Sequence, residues 1–139
     1  MDEARDDLLA ARAFAAARGM VGARFRAQGY APATGLDCVG LVWAAYAAAG
    51  RELVRPTGYP LRGWSRARIE AALAAAGFAA AAAERPRSGD LALIAYPARQ
   101  YHLGLLGPET LVHAHAGLRR VVETPVDAQL LAAAHWRLS

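Results

Sequence analysis

Apolar residues recur at helical spacing in the first half of the chain and in short strand-like runs in the second. From Asp6 to Arg18, Leu8, Leu9, Ala11, Ala13, Phe14 and Ala17 alternate with charged positions, and Gly19 follows: a first helix. Met20 to Thr34 carries Gly22, Gly29, Pro32 and two arginines and reads as irregular connection. A second helix is expected over Cys38–Ala49, with Leu41, Val42, Trp43 and Tyr46 as its bulky members, Asp37 as its N-cap and Gly50 at its end. Arg55 to Gly63, with two prolines and two glycines, is a loop, and a third helix follows from Ser65 to Ala76.

The period then changes. Asp90–Tyr96, Tyr101–Leu106, Thr110–His115 and Arg119–Thr124 are short apolar runs separated by Pro97, Gly107-Pro108 and Gly117, and His135–Leu138 could form a last strand. The alanine tract at 79–83 fits either an extension of the third helix or an edge strand. Helices first and an antiparallel meander second is an α+β pattern, with the helices packed on one face of the sheet.

At 139 residues the chain is expected to form a single domain spanning 1–139. Alanine supplies much of the 55% hydrophobic fraction, so bulky core residues are scarcer than that figure suggests. The alanine runs are too short to cross a bilayer, and the acidic start Met1-Asp2-Glu3-Ala4-Arg5 lacks the basic, then apolar, pattern of a secretory signal. The expectation is therefore cytoplasmic synthesis and no membrane partner. Net charge is +4, supplied by arginine with no lysine. The arginines are scattered and no aromatic stripe interleaves with them, which argues against nucleic acid, although an anionic polymer would be attracted.

Cys38 is the only cysteine, so it forms no internal disulfide. It lies in Gly35-Leu36-Asp37-Cys38-Val39-Gly40-Leu41, at the start of the second helix, where the backbone dipole and exposed N–H groups favour thiolate. A lone cysteine near apolar residues is nonetheless more often a packed small hydrophobe. His102 and His113 fall on consecutive strands of an expected hairpin. His113 and His115 point to one side of their strand, so either could touch His102, and spacing does not choose between them. A zinc site would need about three protein ligands. Cys38, His102 and His113 satisfy that count but match no zinc spacing. Trp43 and Tyr46 read as core, and His135 is given no role.

Four segments, in order, carry a resemblance. Gly35–Leu41 resembles the nucleophile motif of NlpC/P60 peptidases; Arg87-Ser88-Gly89-Asp90-Leu91 resembles that family's entry to its first sheet strand. Tyr101-His102-Leu103-Gly104-Leu105 resembles its base-bearing strand, and Leu111-Val112-His113-Ala114 the strand of its third residue. The resemblance spans residues 22 to 124, and Pro32–Cys38 is most similar to the phage-tail and gene-transfer-agent cell-wall peptidase branch. It implies a papain-like NlpC/P60 fold and hydrolysis of amide bonds in peptidoglycan stem peptides, often between D-glutamate and a diamino acid. Cys38 would be the nucleophile, His102 the base and His113 the orienting residue, with Asp37 and His115 in support and no metal or organic cofactor.

One position departs from the family. A tyrosine usually stands about a dozen residues before the cysteine, and here Phe25 occupies that place, with Tyr30 a few residues on. Either Tyr30 takes over its hydroxyl through a shifted loop, or that hydroxyl is missing. The resemblance implies stem peptides and phage-like tail proteins as partners, with action on the cell wall from such a particle. Two other readings use the same fold: a structural particle component with little activity, and an amidase or acyltransferase acting on a non-wall substrate. Arg51–Gly63 and Tyr96–Tyr101, which flank the motif-bearing elements, are expected to border the cleft.

Overall fold

The computed structural model describes residues 3–56, 65–81, 86–96 and 100–138. Its elements run α1 (Glu3–Arg18), β1 (Tyr30–Ala31), β2 (Gly35–Leu36), α2 (Cys38–Ala48), α3 (Arg66–Ala76), β3 (Phe78–Ala81), β4 (Leu91–Tyr96), β5 (Gln100–Leu106), β6 (Thr110–His115), β7 (Arg120–Pro125), α4 (Ala128–Leu131) and β8 (Ala134–Leu138). The α+β organisation expected from the sequence is the one observed.

The three expected helices form at the expected caps. Asp37 accepts a hydrogen bond from the Gly40 N–H at 2.7 Å, and Ser65 accepts one from Arg68 at 3.1 Å. Gly77 closes α3 in the left-handed conformation, φ +103°. The buried stripe of α1 differs from the expected one. Ala10, Ala13, Phe14 and Ala17 face inward at i, i+3, i+4, i+7 spacing, whereas Leu8 is 52% exposed and Ala11 lies outside. The backbones approach too closely for leucine there: a Cβ on Gly89, itself at φ +94°, would strike Ala10.

Six strands form one antiparallel sheet in the order β3-β8-β4-β5-β6-β7. Strands β4 to β7 are the expected meander. The C-terminal strand departs from it by returning across the sheet to lie between β3 and β4. The alanine tract resolves in part as the edge strand β3, and residues 82–83 lie outside the described residues. The connection Met20–Thr34, expected to be irregular, carries a two-residue ladder in which Tyr30 pairs with Leu36 and Ala31 with Gly35.

Helix α2 is buried almost all round. Val39 to Trp43, Ala45 and Tyr46 lie between α1 and strands β5 and β6, as the continuous apolar run of a central helix requires. Trp43 donates to the Val54 carbonyl at 2.9 Å, and Tyr46 donates to the Gly89 carbonyl at 2.7 Å, so both are core residues as expected. Leu91, Leu93, Leu103, Leu105, Val112 and Val121 line the helix-facing side of the sheet. Ala92, Ile94, Leu106 and Leu111 form a smaller cluster capped by Val126, Leu130 and Ala133. His135 is 2% exposed and its Nε2 contacts the Leu130 carbonyl at 3.1 Å, tying β8 to α4.

The start of β4 is pinned by a buried ion pair. Asp90, 1% exposed, receives Arg137 at both oxygens, from Nε at 2.9 Å and Nη2 at 2.8 Å, and the Arg87 backbone N–H at 2.9 Å. Arg87 in turn pairs with Asp7 of α1, so one carboxylate organises the turn before β4, strand β8 and the first helix. Truncating one partner of such a pair leaves charge and donors buried without compensation. Asp90→Ala is therefore expected to lower unfolding stability by about 3 kcal/mol. Denaturant titration checks this, and a loss below about 1 kcal/mol would show the pair to be dispensable.

Candidate functional site

Cys38 is the first residue of α2 and is half-buried. Its position is set from both sides of the helix start. The Asp37 carboxylate caps α2 through Gly40 and accepts the Gln28 N–H at 2.7 Å, while the Asp37 N–H donates to the Gly29 carbonyl at 3.3 Å. Gly40 then has no room for a side chain, because a Cβ there would overlap the Gly29 carbonyl. The glycine two residues after the cysteine is thus a packing requirement. Gln28 adopts φ +59°, a left-handed conformation that side chains other than Asn and Asp seldom take.

The thiol lies against the backbone of Leu103, the residue after His102. Hydrogen bonds from the Leu103, Val39 and Cys38 backbone favour its ionised form, as the helix-terminus argument predicts. Burial and the Asp37 charge outweigh them, and the thiol is pushed up to about 11. The expected thiolate is therefore not the resting state at neutral pH. The same aspartate that builds the helix start disfavours a second negative charge beside it.

His102 and His113 form a hydrogen-bonded pair, His102 Nε2 to His113 Nδ1 at 2.8 Å, with their rings edge to face at 78°. Strands β5 and β6 are paired beside their turn, at Leu105–Val112 and Leu106–Leu111. Extending that register sets His102 opposite His115, with His113 its diagonal neighbour on the same face. The diagonal contact is the one made. His115 accepts the Leu118 N–H at 3.0 Å and serves the following turn, although its ring remains 5.8 Å from that of His113. Burial lowers His102 to about 3, aided by the neighbouring His113 and His115, and lowers His113 to about 4, aided by His115. Both rings rest neutral.

A fourth residue, unassigned by the sequence analysis, completes the row. Thr124 Oγ1 lies 3.3 Å from His113 Nε2, on β7, where Thr124 pairs with Leu111 and so shares the face of His113. When His102 carries its proton on Nε2, His113 accepts it at Nδ1 and donates from Nε2 to Thr124, which leaves the His102 lone pair on Nδ1. No spacing rule singles out a threonine at the end of a strand. Alternation within β7 would place it on the histidine face only once the β6–β7 register were known.

Tyr30 sits on β1 with its hydroxyl 3.5 Å from the Pro56 carbonyl and the Arg55 guanidinium 4.5 Å from its ring centroid. Phe25 is half-buried, packs on the main core and bridges to Leu36. Of the two segments expected to border the cleft, Arg51–Pro56 reaches Tyr30, whereas 57–63 and 97–99 lie outside the described residues. Among the described residues no three His, Cys, Asp or Glu side chains converge as a metal cage would require. No described helix is long and apolar enough to cross a membrane.

The pattern of the NlpC/P60 family matches residues 22–137. The chain belongs to the NlpC/P60 family. Solved structures agree in fold. The NlpC/P60 domain of the peptidoglycan hydrolase SagA is 21% identical with a TM-score of 0.58, covering 94% of this chain and 98% of its own. The peptidoglycan hydrolase RipB of Mycobacterium tuberculosis is 18% identical with a TM-score of 0.66, over 99% of this chain and 68% of its own. A lipoprotein-like member from Staphylococcus aureus is 18% identical with a TM-score of 0.65, and this chain spans only 42% of its length. A search of curated proteins returns no match. These likenesses establish the papain-like α+β fold, helices carrying the cysteine against a sheet carrying both histidines.

Two measurements check the electrostatics. Thiol alkylation of Cys38 is expected to rise about tenfold per pH unit from pH 8 to 10 without levelling, whereas an unperturbed thiol levels near 8.5. A plateau below pH 9 would contradict a protonated resting thiol. The lowered histidines stabilise the fold fully above about pH 6.5, their unfolded value. That contribution is lost as pH falls toward 4 and then 3, because the unfolded chain takes up the protons first. Thermal melts from pH 7 to 4 should show a fall that is shallower in His113→Gln, and parallel curves would remove the histidines as its cause.

Proposed function

We propose that this protein is a cysteine peptidase that hydrolyses amide bonds of peptidoglycan stem peptides, with Cys38 as nucleophile, His102 as base and His113 as the residue orienting that base. The observation that carries the proposal is the 2.8 Å His102–His113 pair, with the backbone of Leu103, the residue after His102, lying against the Cys38 sulfur, in a chain of the NlpC/P60 family. The peptidoglycan hydrolases SagA and RipB share its fold.

The resting pair is neutral, so proton transfer accompanies attack rather than preceding it. His102 takes the thiol proton at Nδ1 as the Cys38 sulfur bonds to the carbonyl carbon, and the C=O electron pair moves onto oxygen. The Cys38 and Val39 N–H groups already converge on the sulfur at the start of α2, and they are the donors for the resulting oxyanion. The new imidazolium is stabilised through Nε2–H donated to His113, whose Nε2–H is held by Thr124. His102 returns the proton to the departing amine, and a water molecule, deprotonated by the same ring, attacks the thioester; the C–S bond breaks, the acyl group leaves as a carboxylic acid, and His102 gives that proton back to the Cys38 sulfur. His113 does the work that aspartate or asparagine performs in related triads, but as a neutral partner it stabilises the imidazolium less. Pro32–Cys38 is similar to the phage-tail and gene-transfer-agent branch, and the setting we propose is a phage-like particle acting on the wall.

Purified protein is expected to release soluble fragments from peptidoglycan sacculi. Cys38→Ala and His102→Ala should abolish release, and His113→Ala should reduce it by roughly a hundredfold or more. Wild-type protein as inert as Cys38→Ala on sacculi of several chemotypes would overturn the proposal in favour of a structural particle component. Thr124→Val is expected to lower kcat by roughly three- to tenfold with KM unchanged, restored by Thr124→Ser, if the threonine acts through His113. An equal effect of both substitutions would assign Thr124 a packing role.

A further inference from the structure

Beside the start of α2 lies a polar groove of about 460 Å³, lined by residues 26–31, Thr34 and Arg55. Its wall is continuous with the nucleophile's own support. Gln28 and Gly29 both bond to Asp37, the residue before Cys38, and Tyr30 pairs with Leu36 immediately before that. The groove is strongly one-signed. Arg26 and Arg55 are both exposed, and among the described residues neither makes an ion pair and no carboxylate lines the groove. Arg18, Arg66, Arg87 and Arg137, by contrast, each have an acidic partner within the fold.

Arg55 is also held in a particular way. Its guanidinium rests 4.5 Å from the Tyr30 ring centroid, and stacking of this kind restrains the group while its edge N–H donors remain in plane. A planar fork of donors in a groove that a second arginine also lines suits recognition of a carboxylate. The neighbouring backbone cannot shift easily, since Gln28 and Gly29 are anchored on Asp37 and Gly40 leaves no slack against Gly29.

We infer that this groove is a subsite for a free carboxylate of an acidic peptide substrate, bound by Arg26 and Arg55 next to the amide presented to Cys38. The inference rests on the peptidase reading and deepens it. It assigns specificity to the charge of the substrate backbone near the scissile bond, through residues that lie outside the four segments carrying the family resemblance. A substrate whose carboxylate has been converted to the carboxamide loses the charge that both guanidiniums meet.

The test uses two synthetic stem tripeptides, L-alanyl-γ-D-glutamyl-diaminopimelate and the same peptide with the D-glutamate α-carboxylate amidated. Binding to the full-length Cys38→Ala protein is measured by calorimetry, and cleavage by the wild type is measured in parallel. The carboxylate peptide is expected to bind at least tenfold more tightly than the carboxamide, with a preference that weakens as salt rises. Arg26→Gln/Arg55→Gln should abolish that preference while leaving the melting temperature unchanged, since both side chains are exposed. Equal binding of the two peptides, or a preference retained in the double variant, overturns the subsite whether or not cleavage occurs. Arginine-dependent binding without cleavage by the wild type would instead uphold the subsite and overturn the peptidase reading.

Discussion

The Asp37 carboxylate joins the start of α2 to the loop at Gln28, beside the short ladder that pairs Tyr30 with Leu36. One oxygen caps α2 through Gly40, and the other accepts the Gln28 N–H from the loop that crosses the helix start. An N-cap alone contributes about 1 kcal/mol, a modest share of the stability of a domain this size. The bidentate role matters more for position than for stability. It sets where α2 begins, hence where the thiol of Cys38 emerges, and it brings the groove wall of residues 26–31 alongside. Burial of Asp37 at 8% exposure keeps both bonds out of competition with water.

That arrangement carries a cost in reactivity. Backbone N–H groups at a helix start favour a thiolate, but the same carboxylate sits next to the sulfur, and the sheet removes water from it. Desolvation and like charge win. The histidines follow the same logic, since a buried imidazolium among neighbouring rings is costly and both remain neutral. A neutral thiol and neutral imidazoles need no compensating charge in the surrounding fold. In the mechanism we propose, charge separation appears only as the carbonyl is attacked, where the helix-start N–H groups and the His113–Thr124 row would meet it.

The sheet turns these local features into a site. Strands β5, β6 and β7 carry His102, His113 and Thr124 on one face, and each contact is diagonal rather than directly opposite in register. The opposite face receives α2 through Leu103, Leu105 and Val112. Asp90 holds the other end of the assembly by fixing β8 between β3 and β4, against the grain of a simple meander. Small residues in α1 let that helix approach closely enough to cover the core despite the scarcity of bulky side chains.

Much of this was legible in the order of residues alone. Helix periodicity, the caps Asp37 and Ser65, and the short strands are local properties, so three helices and the meander could be read directly. Cys38, His102 and His113 were legible as candidates because a lone cysteine at a helix start and histidines on adjoining strands are unusual in combination. Decisions that depend on which atoms meet across the fold were not. Spacing left His113 and His115 level, and only the family resemblance chose His113; the row continued by Thr124, the thiol's protonated state and the crossing of β8 all depend on register, burial and long-range pairing. A sequence specifies those quantities only through the whole packed structure, because a single residue's slip in register would turn each of these side chains to the other face.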